Sequence, residues 1–477
     1  MIKMGFINKQ KDISSEAEEK KNFLDIEMKK KMSTLEDRIR RETSQFYHSS
    51  SLFEIPSKDG VIKFDARDFL LACAMTKANT LFMGESGSGK TELTEIFMNA
   101  VFGKKNTSKL VISPSLTITQ LVDMSFAPLT SGGNLSDTQK LTPLITSPAT
   151  LFDELNRTPP QLLSALQPYM EGRSINLEGG ITATPGILLS DGSYYKWITA
   201  TANPNNYSGV FELDEAVLNR FPVTIPWDLF PATMEDIINM TTNSKSEDKK
   251  MSNNSDTATP ENTLDPDLEY LYMNVKNIPM QSLASSVIWY LINKDNCYRA
   301  STGIKKEIMN FDPGKTCNGC KANGVHSQMC GNIGGISNRI AGNMTDLAKA
   351  TAAIRSYKLG EDNIEVKPED IIAIAPFLLY GGKIRIETSW IEKYAGGVEG
   401  LAPSLWTAIN LAVENMSKIA IENTISLARS PSEESLEEML KQSPASFSNN
   451  VVREYYKKLR RLGEEEYIHE KFRRFGE

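Results

Sequence analysis

The stretch that most constrains this chain is Gly84-Glu85-Ser86-Gly87-Ser88-Gly89-Lys90-Thr91. It follows a short apolar run, Thr80-Leu81-Phe82-Met83, and opens into a helix-like segment from Glu92 to Val101 that stops at Gly103. The order is therefore strand, glycine-rich turn, helix. Glycines let successive backbone N–H groups curl around an anion, and the helix N-terminus adds a partial positive charge. Lys90 is then expected to reach the β- and γ-phosphates of a nucleotide, and Thr91 to place its hydroxyl on Mg²⁺. A chain built this way must fold at least in part as an α/β unit that binds a nucleoside triphosphate.

The 477 residues allow two or three domains, and the apolar fraction of 40% is ordinary for a globular chain. No run approaches the roughly 20 apolar residues of a membrane-spanning helix. The opening Met1-Ile2-Lys3-Met4-Gly5-Phe6 runs straight into charged sequence and lacks the apolar core of a signal peptide, so a cytoplasmic location is expected. A net charge of −7 argues against nucleic-acid binding over the whole surface, while leaving room for a local basic groove. Five cysteines do not make a disulfide scaffold.

Residues 1–51 read as a charged helical extension, with Leu24, Met28, Met32, Leu35 and Ile39 at helical spacing. From 52 to 235, apolar strand candidates alternate with helical patterns, the signature of a parallel sheet flanked by helices. Besides the run before the glycine loop, the candidates are Leu110-Val111-Ile112, Thr150-Leu151-Phe152, Trp197 to Ala200 and Val223-Thr224-Ile225. Residues 241–263 form a polar linker, and 264–400 read as a helical domain, with apolar periodicity over Leu264–Ile292 and Ile340–Tyr357. The tail, 401–477, is helical in pattern and ends with basic residues among aromatics, Tyr455 to Arg461 and Phe472 to Phe475. That mixture admits nucleic-acid binding, but Glu464, Glu465 and Glu466 favour a solvated amphipathic helix. Cys73, in an apolar helical stretch, is expected in the core.

A metal-bound nucleotide needs a carboxylate at the end of a neighbouring strand. Ala149-Thr150-Leu151-Phe152-Asp153-Glu154 supplies one. Asp153 would hold Mg²⁺ and Glu154 would polarise the attacking water.

The run Asp153-Glu154-Leu155-Asn156-Arg157-Thr158-Pro159-Pro160 closely resembles the Walker B segment of the MoxR family of AAA+ ATPases. Ala200 to Pro204 resembles that family's sensor-1 strand, and Leu213 to Phe221 its block ending in Asp-Arg-Phe. Gly335 to Arg339 resembles sensor 2, with Asn338 where proline is usual, and Val366 to Ile371 resembles a lid segment. The likeness covers roughly residues 52–385. It implies an AAA+ module with a five-stranded parallel sheet and an all-helical lid. It also implies Mg²⁺-dependent ATP hydrolysis in a ring, expected to be a hexamer, that remodels or matures a protein or complex. A partner with a von Willebrand factor A domain would be in keeping with the family. By the same resemblance Asn203 orients the lytic water, Arg220 reaches a neighbouring subunit's nucleotide, and Arg339 touches the phosphates from the lid. Asn203 as a simple turn residue, Arg220 in an intrasubunit ion pair and Arg157 as a rival interface arginine stay open. So do a nucleic-acid motor or loader and a nucleotide-gated scaffold with little turnover, and GTP in place of ATP. The segment between Arg173 and Lys196 is longer than the family's hairpin before sensor 1.

Cys317, Cys320, His326 and Cys330 have the spacing C-x₂-C-x₅-H-x₃-C, close to a zinc knuckle. A structural Zn²⁺ in an insertion over 314–332 is expected. An Fe–S cluster joined by Cys297, or plain reduced thiols, are the alternatives.

Overall fold

The computed structural model describes residues 2–44, 46, 48–57, 60–111, 122–124, 139–176, 182–204, 209–243, 262–293, 333–334, 338–381, 385–386 and 401–429. It divides into two compact units, residues 1–279 with 349–365, and residues 280–348 with 366–477.

The first unit begins with one long helix, α1 (Ile2–Glu42). Met28, Met32, Leu35 and Ile39 are buried along it, which is the apolar stripe expected from their spacing. A hairpin follows, β1 (Ser51–Ser57) with β2 (Gly60–Asp65), and leads into α2 (Ala66–Thr76). The turn into α2 is fixed by a capping box: the Asp65 carboxylate accepts from the amides of Arg67 and Asp68, and Asp68 accepts from the Asp65 amide.

Five parallel strands form the central sheet: β3 (Thr80–Met83), β4 (Thr107–Val111), β5 (Ala149–Asp153), β6 (Trp197–Ala202) and β7 (Val223–Pro226). Their order is β7-β3-β6-β5-β4. Four of the apolar runs picked out in the sequence are in it whole, and the fifth through Leu110 and Val111, with Ile112 outside the described residues. Each central strand is buried on both faces, so it reads as a continuous apolar run rather than an alternating one. One face packs Leu81, Phe152, Ile198 and Ala200 against Leu166, Tyr169 and Phe221. Elsewhere in this unit Trp197 stacks on Phe102 with centroids 5.7 Å apart, and its indole N–H donates to the Ala78 carbonyl at 2.8 Å.

The registers Ala202↔Met83↔Pro226 and Asp153↔Val111 bring the C-terminal ends of the strands to one edge. Parallel α/β sheets bind ligands at that edge, because the loops that leave it converge there. Helix α3 (Lys90–Phe102) starts from it, buries Leu93, Phe97, Met98 and Val101, and ends at Gly103 with φ +82°. Helix α4 (Pro160–Met170) follows β5. The segment between Arg173 and Lys196 holds two short hairpins in succession, Ile175–Asn176 with Thr182–Ala183 and Ile187–Leu188 with Tyr194–Tyr195. A short α5 (Glu215–Leu218) precedes β7.

Helix α6 (Met234–Asn243) carries the chain past Thr241, so the first three residues of the expected linker are helical. The hydroxyls of Thr241 and Thr242 turn back onto the Ile237 and Ile238 carbonyls, which lets threonines end a helix without competing for other partners. Helix α7 (Pro266–Val275) packs on α1, with ion pairs Lys31–Asp267 at 2.7 Å and Arg38–Asp265 at 2.8 Å. Asp25 of α1 accepts from the Ile364 amide at 3.1 Å.

The second unit is built on α8 (Ser282–Asn293), the first part of α9 (Asn338–Leu359), α10 (Pro368–Leu379) and α11 (Leu401–Arg429). α8, α10 and α11 pack on one another, with Trp406 set edge-on against Phe377 and Tyr380. Among the described residues no helix is long and apolar enough to cross a membrane.

Candidate active site

The glycine loop leaves β3 at the ligand edge of the sheet. Its first residue is tied to β6 through a 3.1 Å hydrogen bond from the Gly84 amide to the Ala202 carbonyl. A side chain at Gly84 would come within 2.6 Å of the Asp228 carboxylate, which would have to move off the loop to admit it. That carboxylate, just after β7, accepts from the Glu85 amide at 2.9 and 3.0 Å. Gly87 and Gly89 take φ +81° and +84°, the left-handed region that non-glycine residues avoid. Lys90 is buried, and its ammonium donates to the Gly84 carbonyl at 2.7 Å, to the Glu85 carbonyl and to the Ser88 hydroxyl at 3.2 Å. Burial pulls its pKa below the ordinary lysine value, against the pull of Asp228, Asp153, Glu85 and Glu154.

The first turn of α3 meets the end of β5. The Thr91 hydroxyl donates to Asp153 Oδ1 at 2.7 Å, and Thr201 of β6 donates to the same oxygen at 2.8 Å. Lys109 of β4 lies 3.6 Å from Asp153 Oδ2. A hydroxyl and a carboxylate this close are the hard oxygen donors that Mg²⁺ takes, so Thr91 and Asp153 fit the ion that a nucleotide brings.

Glu154 stands in the left-handed region at φ +59°, a conformation that costs a non-glycine residue free energy. Its amide donates to the Thr201 hydroxyl at 2.9 Å, which fixes the turn. Its carboxylate lies 3.4 Å from the Asn203 amide nitrogen and 3.2 Å from Arg157 Nε. Asn203 is buried and held by Asn156, whose side chain donates to the Asn203 carbonyl at 2.7 Å and accepts from its amide at 3.2 Å.

Arg220 follows α5, whose N-terminus is capped by the Asp214 carboxylate. Its guanidinium donates to the Ala216 carbonyl and pairs with Glu171 at 3.3 Å, so the intrasubunit ion pair left open by the sequence is present. Arg339 is exposed in the first turn of α9 and belongs to the second unit. Among the described residues no group of three or more His, Cys, Asp or Glu side chains could hold a metal ion. Cys297, Cys317, Cys320, His326 and Cys330 lie outside the described residues, as do the basic and aromatic tail beyond 429 and most of the linker.

Residues 79–223 match the family model described as "ATPase family associated with various cellular activities (AAA)". Over 152 residues the chain is 30% identical to the chaperone MoxR1 of Mycobacterium tuberculosis. Residues 79–223 therefore resemble the ATPase domain of that family, and part of the chain resembles MoxR1. The match takes in 32% of the chain and only 37% of that relative's length, little more than a third. A crystal structure of a proposed ATPase from Cytophaga hutchinsonii shares the fold with a TM-score of 0.52, at 18% identity, over 85% of this chain and 98% of that one.

Four residues at this site were not singled out for a role in the sequence. Thr201 and Asn156 lie inside the motif blocks, and a polar side chain in a strand that is otherwise apolar was the available signal for Thr201. Lys109 and Asp228 had none, since only the sheet order brings the first to Asp153 and the second to the loop.

Proposed function

We propose that the chain hydrolyses ATP with Mg²⁺ and works as a ring, expected to be a hexamer, that remodels or matures a protein or complex. One observation carries the reading: at a single sheet edge, Thr91 touches Asp153 beside the phosphate loop while Glu154 faces Asn203. Lys90 and the loop amides bind and orient the phosphates. Thr91 and Asp153 would hold Mg²⁺, which when bound spreads the charge of the phosphates. Glu154 accepts the proton of the attacking water, and Asn203 orients that water against it. The strained backbone of Glu154 fits a group whose position matters more than its local energy.

Arg220 is proposed to leave Glu171 for the nucleotide of a neighbouring subunit, and Arg339 to report on the phosphates from a helical lid. The identity to a chaperone supports action on a protein; a partner with a von Willebrand factor A domain is a further part of the proposal. On spacing alone, Cys317, Cys320, His326 and Cys330 would bind a structural Zn²⁺.

Glu154→Gln tests the chemistry. Loss of a general base costs about 10²–10⁴ in rate, so turnover should fall at least 100-fold while ATP still binds within a few-fold of the parent affinity. Unchanged turnover in this variant would overturn the assignment.

A further inference from the structure

The phosphate loop is fastened from outside by the turn that follows β7, a single 3₁₀ turn over Trp227–Leu229. Two hydrogen bonds of opposite polarity make the contact. Near the start of the loop the Glu85 amide donates to both oxygens of the Asp228 carboxylate, at 2.9 and 3.0 Å. Three residues further on, the Ser88 carbonyl accepts from the Trp227 indole N–H at 2.8 Å. Ser86 and Gly87 are thus spanned between two fixed points.

This clasp has a rigid footing. Trp227 is buried, its ring is stacked on the His48 imidazole at 4.2 Å, and Phe82 of β3 meets it edge-on at 5.4 Å. The register Pro226↔Met83 sets the turn beside the strand from which the loop departs. Asp228, by contrast, is exposed. Its charge has the wrong sign for a site that receives phosphates, since like charges repel. What a carboxylate offers there is a strong acceptor, because an ionised oxygen holds an amide more firmly than a neutral one. With Glu85 and Ser88 both held, the curl of the loop is set before a ligand arrives, and less freedom is lost on binding.

We infer that Asp228 and Trp227 are positioning residues for phosphate binding, holding the loop in the curled form in which its amides face an anion. The inference rests on the nucleotide reading of the loop. Both residues lie beyond residues 79–223, the stretch matched to the family model, and outside every motif that carries that reading.

Equilibrium titration with ADP and with inorganic pyrophosphate tests this. Asp228→Asn and Asp228→Ala both remove the charge, and only asparagine keeps a carbonyl that can accept from Glu85. The ratio between them therefore isolates the acceptor. The alanine variant should bind ADP about tenfold more weakly than the asparagine variant, the equivalent of one hydrogen bond. Pyrophosphate should show the same ratio, because the effect is on the loop that holds phosphates. Trp227→Phe keeps an aromatic ring in the stack and loses the indole donor, and it should weaken both ligands several-fold. Equal affinities of the alanine and asparagine variants would overturn the role of Asp228, and a loss confined to ADP would do the same. A difference between those two variants only in the unfolding temperature of the ligand-free protein would mark a structural role and also overturn it. Unchanged affinities in Trp227→Phe would overturn the role of the indole. If the parent protein bound neither ADP nor pyrophosphate, the nucleotide reading itself would fall.

Discussion

Asn156 shows how much of a site one buried amide can organise. It holds both the amide and the carbonyl of Asn203, and Asn203 in turn faces Glu154. A group that acts by orienting another affects the rate through geometry, and small displacements of a reacting water are expensive. Asn156→Ala should therefore lower kcat more than tenfold while leaving ATP affinity within a few-fold. Parallel measurement of turnover and equilibrium binding checks it, and a fall in affinity equal to the fall in rate would contradict it. At this scale the sequence was most readable where chemistry dictates residue type at fixed spacing. The glycine loop, Lys90, Thr91, Asp153 and Glu154 come together as their order along the chain suggested. Asp228 and Lys109 were not readable, because they reach the site only through the strand order β7-β3-β6-β5-β4. Arg220 follows the short helix α5, but its ion pair with Glu171 depends on a distant turn after α4.

Among elements, α1 is the clearest test of burial. Leu35 is fully buried in the stripe that packs on the first unit, flanked by Met32 and Ile39. Leu35→Ala removes buried methyl groups and leaves a cavity, which costs about 2–5 kcal/mol. Urea unfolding should show a loss of that size, and a change below about 0.5 kcal/mol would mean that α1 packs on nothing that matters. The five strands were legible because each is a short apolar run bounded by turn residues. The two hairpins between Arg173 and Lys196 were not, since their strands are only two residues long and give no period to recognise. The helix-like periodicity from Leu264 to Ile292 is carried by two helices, α7 and α8, with a break that contains Pro279. Proline disfavours helix in the residue before it, which explains the interruption.

At the scale of the whole molecule, the division into units was only partly visible. Residues 264–279 read as the start of a helical domain, but α7 packs on α1 and α2 in the unit that holds the glycine loop. Long-range packing of this kind leaves no local signal, because an amphipathic helix looks the same whichever partner covers it. The cysteine and histidine spacing makes a separate prediction. Metal analysis of the purified chain should find about one zinc per chain, lost in Cys317→Ser with Cys320→Ser, and zinc-free protein would contradict it. Hydrolysis across a subunit boundary is tested most directly by mixing two inactive proteins. Arg220→Ala should bind ATP within a few-fold of the parent and lose about 10³-fold or more in turnover, as removal of an arginine finger does. Lys90→Ala should lose nucleotide binding. Combined after confirmed subunit exchange, they should recover activity, since some interfaces then pair an intact loop with an intact arginine. A mixture that stays inactive, or a monomer with full turnover, would contradict the account.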